Sequence, residues 1–183
     1  MREFIARLAA RLGIARGVSD SDAAMVRRLR ARGVRIGEDC RIYTKDFSSD
    51  PYLVTLGDGV CIAGGVKFVT HDGSARLRKS HRPNIQFVGR IDVGANTFIG
   101  ENAIILPGTN IGRDCVIGAG AVVRGTIADN SLVVGNPGEI VGRASLMLDR
   151  LERSANALDT FNLPAQRRRE VLLAHFNITD EPT

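Results

Sequence analysis

Apolar residues in the middle of this chain recur neither every 3.6 residues, as on a half-buried helix, nor at every second residue, as on a half-buried strand. From Val93 they recur every six. The units read VGANTF, IGENAI, ILPGTN, IGRDCV and IGAGAV, and the next begins with Val123. A large aliphatic opens each unit, Gly follows it in four of the five, and the fifth position is small throughout: Thr97, Ala103, Thr109, Cys115 and Ala121. A fixed short period is the signature of a solenoid, in which each unit covers only its neighbours.

A short strand followed by a turn explains one inward aliphatic per six residues. Each unit then forms one face of a coil, with Gly and Asn or Asp supplying the corner conformations and the small fifth residue filling the narrow angle. If three faces close a coil, residues eighteen apart stack: Val93 on Ile111, Ile99 on Ile117, Ile105 on Val123. The spacing therefore predicts an all-β solenoid with aliphatic columns for a core. The same beat runs through Ile36, Ile42, Leu56, Ile62 and Phe68. It fails twice. YTKDFSSDPYLV, from Tyr43 to Val54, is out of register and reads as a looser coil or bulge. Phe68 and Phe87 lie nineteen apart, which is not a multiple of six, so about 71–86 reads as a loop leaving a corner of the prism.

Helical spacing belongs to the two ends. Phe4, Ile5, Leu8 and Leu12, and a second run from about Ser21 to Arg32, predict basic amphipathic helices in 1–33. Residues 34–142 form the solenoid. In 143–183 Leu146, Leu148, Leu151, Ala155 and Leu158 predict one helix and Pro164 the start of another. Helices at both ends suit capping of the open coils.

Composition narrows the class. With 183 residues, 44% hydrophobic and 25% charged, the chain suits one globular domain with appendages. The net charge is +5, but residues 1–35 alone carry nine Arg against Glu3, Asp20 and Asp22. A basic segment of this kind suits contact with a neighbouring subunit or peripheral contact with an anionic membrane. At 5% aromatic content and without a binding motif, nucleic acid is not an expected partner. No apolar run reaches the ~20 residues of a membrane span and Arg2, Arg7 and Arg11 interrupt any signal-like core, so a cytoplasmic location is expected. Cys40, Cys61 and Cys115 are widely spaced and predict buried thiols with neither disulfide nor metal.

The repeat IGENAIILPGTNIGRDCVIGAGAVV, followed by NSLVVGNPGEIVG and preceded by GVKFVTHDG, resembles the hexapeptide-repeat acyltransferases, and within them the galactoside, maltose and polysaccharide O-acetyltransferases. The resemblance covers roughly residues 33–142. It implies a left-handed parallel β-helix, a homotrimer with active sites between subunits, acetyl-CoA as donor and a saccharide acceptor of the cell envelope or an exopolysaccharide. It also implies that His71, in VTHDG where the loop leaves the coil, is the general base. An imidazole titrates near neutral pH, so it can take the proton of a poorly nucleophilic hydroxyl and return one to the departing thiolate.

Read from its own chemistry, Asp72 orients the imidazole, meets the acceptor or shapes the turn before Gly73. Arg78 and His81 are acceptor-binding candidates on a loop whose cations suit an anionic group of the acceptor such as a uronate or nucleotide diphosphate, and by the family carry-over Phe98, Gly100, Ala119 and Arg124 are candidates for lining the acetyl-CoA groove. Many relatives have Thr-Lys-Asp after the last repeat, whereas Arg124-Gly125-Thr126 stands here, with Arg124 supplying the charge. N-acetylation of an amino sugar is the alternative reaction and a non-catalytic scaffold the alternative class. A γ-class carbonic anhydrase would need three zinc-binding histidines, and only His71 and His81 lie in the repeat region.

Overall fold

The structure is a computed structural model that describes residues 20–78 and 82–179. The first expected helix, around Phe4–Leu12, and His81 lie outside them. The chain divides into two compact units, within which the described residues are 20–78 with 82–149, and 150–179.

The first unit is the solenoid. Thirteen parallel strands of two to four residues wind around three faces, a further strand closes one face antiparallel, and two more pair only with each other. Face A stacks β1 (Arg35–Ile36), β3 (Val54–Leu56), β8 (Ile91–Val93), β11 (Asn110–Ile111) and β14 (Thr126–Ile127). Face B stacks β2 (Arg41–Ile42), β4 (Cys61–Ile62), β9 (Phe98–Ile99), β12 (Val116–Ile117) and β15 (Ser131–Val134), and β16 (Glu139–Arg143) closes it antiparallel. Face C holds β5 (Lys67–Phe68), β10 (Ile104–Ile105) and β13 (Val122–Val123). The remaining pair, β6 (His71–Asp72) and β7 (Phe87–Val88), forms a ribbon of its own.

The expected columns are the strand partners. Val93 pairs with Ile111, Ile99 with Ile117 and Ile105 with Val123. The beat resumes across the loop, since Leu56 pairs with Val93, Ile62 with Ile99 and Phe68 with Ile105. Each of these side chains is at most 3% exposed, so the core is three stacks of branched and aromatic residues.

Two positions of the hexad have separate duties. The fourth residue takes the left-handed conformation at Asn96 (φ 56°), Asn102 (58°), Gly108 (80°), Asp114 (58°) and Gly120 (69°), which turns each corner. The glycine in second position is needed instead for close approach: a Cβ on Gly100 would stand 2.6 Å from the backbone N of Ala119 on the next coil. The corner role expected of that glycine thus belongs to the fourth residue.

The coil from Ile36 to Leu56 is longer, because Arg35 pairs with Thr55 and Arg41 with Cys61, a register of twenty residues in place of eighteen. Phe47 supplies its third inward side chain, fully buried and stacked on Phe68 at 4.6 Å and 16°. Helix α1 (Asp20–Ala31) lays Val26 and Leu29 into the core at this end. It stops at Gly33 (φ 95°), where Val34 N–H donates to Leu29 O and Gly33 N–H to Arg30 O.

Helix α2 (Ala144–Glu152) is shorter than the expected 146–158, and Ser154 ends the run with its Oγ accepting from Asn156 N–H. In the second unit α3 (Ala165–His175) follows Pro164 as expected. Among the described residues no helix is long and apolar enough to cross a membrane, and no cluster of His, Cys, Asp and Glu could hold a metal.

Candidate active site

The loop that breaks the beat is anchored as a two-stranded ribbon. His71 faces Val88, Asp72 faces Phe87, and Gly89 N–H donates to Thr70 O at its root. His71 is therefore fixed where the chain leaves the corner between faces C and A, its side chain 32% exposed. A 3-10 turn over Gly73–Arg78 begins with Asp72 Oδ1 accepting from Ser74 N–H at 2.8 Å. Asp72 thus shapes the turn. That N–H holds its carboxyl below the ordinary range, with smaller contributions from the charges of Arg124 and His71.

The imidazole is oriented from the other break in the repeat. Its Nδ1 stands 3.5 Å from Asp50 Oδ2 and 3.4 Å from the hydroxyls of Ser48 and Ser49. Asp50 in turn accepts from Tyr52 Oη at 2.8 Å and from Ser49 Oγ at 2.9 Å. Those two donors, Tyr52 first, and then the charge of His71 hold the Asp50 carboxyl below its usual 3.8. An ionised Asp50 at Nδ1 favours the tautomer that leaves Nε2 as the basic nitrogen.

The bulge carrying these groups is braced on all sides. Phe47 plugs it into the core, Thr44 Oγ1 donates to Val66 O at 2.8 Å, and the Arg32 guanidinium donates to Lys45 O and Ser48 O. Ser48 sits at φ 57°, a conformation that a non-glycine residue keeps only when its surroundings hold it. Asp50, Tyr52 and Ser48 had no repeat or motif to mark them. The one signal was the loss of register itself.

The remaining candidates separate into two groups. Phe98, 42% exposed, is on face B, and Gly100 and Ala119 are at the corner leading from B to C. Arg124 follows β13 at the corner between C and A, the corner from which His71 departs. Arg78 is exposed at the end of the 3-10 turn and, among the described residues, makes no ion pair with the His71 group.

Residues 90–125 match the family of bacterial transferase hexapeptide repeats (six repeats). The chain carries the hexapeptide repeat. Protein CapG of Staphylococcus aureus is 45% identical over 113 residues, 60% of this chain and 66% of CapG. The putative lipopolysaccharide biosynthesis O-acetyl transferase WbbJ of Escherichia coli K12 is 36% identical over 48% of this chain and 49% of its own length. This hexapeptide-repeat chain thus spans two thirds or less of these relatives. Among solved structures, the hexapeptide-repeat acetyltransferase VCA0836 of Vibrio cholerae, crystallised with acetyl-coenzyme A, superposes with a TM-score of 0.57 at 24% identity, covering 78% of this chain and 86% of that one. It shares the fold.

Proposed function

We propose that this protein is an acetyl-CoA-dependent O-acetyltransferase that acylates a hydroxyl of a saccharide destined for the cell envelope or an exopolysaccharide. The observation that carries the reading is the Asp50–His71 pair at the root of the ribbon. His71 Nε2 takes the proton of the acceptor hydroxyl as its oxygen attacks the thioester carbonyl carbon. The tetrahedral intermediate collapses with cleavage of the C–S bond, and the imidazolium returns its proton to the thiolate, leaving an acetyl ester and free coenzyme A. Asp50 stabilises the imidazolium between those steps, and a backbone N–H in the groove would meet the oxyanion.

Acetyl-coenzyme A in VCA0836 supports the choice of donor, and the name of WbbJ supports O-acylation. The handedness of the β-helix is proposed as left, and the active assembly as a homotrimer. Within one chain all of face C separates Phe98, Gly100 and Ala119 from His71 and Arg124. One thioester can meet both groups when they belong to adjacent chains, which supports a donor groove between subunits. The outer positions of the later coils on faces B and C, Phe98, Val116, Ile104 and Val122, are apolar, although the earlier coils place Arg41 and Lys67 there, whereas those of face A, Thr55, Asp92, Asn110 and Thr126, are polar. That contrast suits packing through B and C. A cytoplasmic setting follows from the donor.

Thiol release from acetyl-CoA, screened over hydroxyl and amino sugars, tests the reading. A hydroxyl sugar should drive release, and His71→Ala should lower kcat about 10²- to 10⁴-fold without weakening acetyl-CoA binding. Release with amino sugars alone would replace O- by N-acetylation, and a mutant as fast as wild type would remove His71 from the mechanism.

A further inference from the structure

A cavity of about 550 Å³ opens between the C-terminal part of α1 and the bulge of the first coil, lined among others by Met25, Arg32, Tyr43, Lys45, Asp46 and Ser48. It is a shallow depression, broadly open to solvent. Ser48 belongs both to its wall and to the group around His71 Nδ1, so the cavity and the site of the imidazole share a residue. Face A carries a groove of similar size, about 540 Å³, along Asp92, Asn110 and Thr126, but that groove contains no residue of the His71 group.

The lining has the chemistry of a site for a charged sugar. Lys45 is exposed, and its ammonium has no ion-pair partner among the described residues. Arg32 spends N–H groups on Lys45 O and Ser48 O and meets no carboxylate there, which leaves its full charge and its other donors at the rim. Asp46 is the one carboxylate in the lining, and Asp22 acts on Tyr43 from beyond it. Tyr43, 51% exposed, offers a ring face of the kind that packs on the C–H side of a pyranose, and burial holds its hydroxyl above the ordinary phenol range, as a donor. The walls are preformed, since Thr44 is tied to Val66 O and Phe68 N–H donates to Asp46 O.

We propose that this cavity seats the negatively charged part of the acceptor, a uronate carboxylate or a sugar phosphate, and that Lys45 is the residue that selects it. The inference rests on the acetyl-transfer reading and narrows its substrate class from saccharide to anionic saccharide. It assigns the selecting cation to the bulge and leaves Arg78 of the 3-10 turn as solvated charge.

The test compares methyl glucuronide and glucose 1-phosphate with methyl glucoside, and methyl galacturonide with methyl galactoside, in wild type, Lys45→Gln, Lys45→Glu and the face A control Asn110→Ala. Wild type should show a lower KM for a charged acceptor than for its neutral partner. Lys45→Gln should raise the charged KM about ten- to a hundredfold, as loss of a charge-assisted hydrogen bond does, with kcat and the neutral KM unchanged. Lys45→Glu should raise it further and Asn110→Ala should leave it alone. A response to the uronide alone or to the phosphate alone identifies the source of the charge. Equal KM values for charged and neutral sugars, or a Lys45→Gln enzyme that keeps the preference, would overturn the proposal. Saturation-transfer NMR of the same sugars on His71→Ala, with and without Lys45→Gln, reads the cavity without turnover. If no acceptor is acylated yet the charged sugar binds through Lys45, the catalytic reading fails and the subsite stands; if neither occurs, both fail.

Discussion

The coils between Val93 and Val123 and the coil between Ile36 and Leu56 bury the same kind of column and differ in what they can hold on the outside. The regular coils place strand on strand at an interval of eighteen, with a left-handed fourth residue at each corner and no length to spare. The first coil is longer by two residues, and its extra chain carries Ser48, Ser49 and Asp50 to the imidazole of His71. A solenoid that keeps strict register has a smooth wall. A site requires departures from it, and the two departures here, 43–53 and 69–90, meet at one corner.

That comparison is tested most severely by removing one inward residue from each kind of coil. Phe47→Ala should cost about 3–5 kcal/mol and Ile117→Ala about 2–5 kcal/mol, both read by urea denaturation, because each opens a cavity in a close-packed stack. The folded fractions should then diverge. Ile117→Ala should turn over normally per folded molecule, whereas Phe47→Ala should also lose kcat, since Phe47 anchors the segment that orients His71. Equal activity in the two variants would mean that the bulge is held by its outer bonds alone.

Asp50→Asn addresses the orienting group itself. The amide keeps the shape but not the charge, so kcat should fall about 10- to 100-fold. KM for acetyl-CoA and the thermal midpoint should stay near wild type. Asp114→Asn, a corner residue of the regular coils, should change neither kcat nor KM. A loss confined to KM would recast Asp50 as an acceptor ligand.

Periodicity made the columns readable and left the site half read, for a physical reason. The six-residue beat constrains side chains that point inward, so Val93 over Ile111 and Ile105 over Val123 could be named from spacing alone. It was silent on outward groups. His71 could be found because its loop breaks the beat inside a motif shared with a family. Asp50 could not, because it lies 21 positions from His71 in the sequence, and only the longer first coil brings the two together. The helix expected over 146–158 ended at Glu152 for a local reason that hydrophobic spacing does not carry: the Ser154 hydroxyl takes up a backbone N–H.

The smallest effect expected concerns the tuning of Asp50, and pH reveals it. A carboxyl held below its usual 3.8 in the folded protein adds stability above that value, and this contribution disappears as pH falls through the lower folded value. Tyr52 Oη–H is the largest cause of the depression. Tyr52→Phe should therefore let the folded value rise back toward 3.8 and destabilise the protein slightly near neutral pH. Between wild type and variant the difference in stability should shrink as the pH is lowered from 6 through 3.8 and below, in parallel urea titrations. In an Asp50→Asn background the same substitution should show no such pH dependence, because the group that titrates is gone. A difference that stayed constant with pH would assign Tyr52 to packing, and the departure from register would then owe its electrostatics to Ser49 and His71 alone.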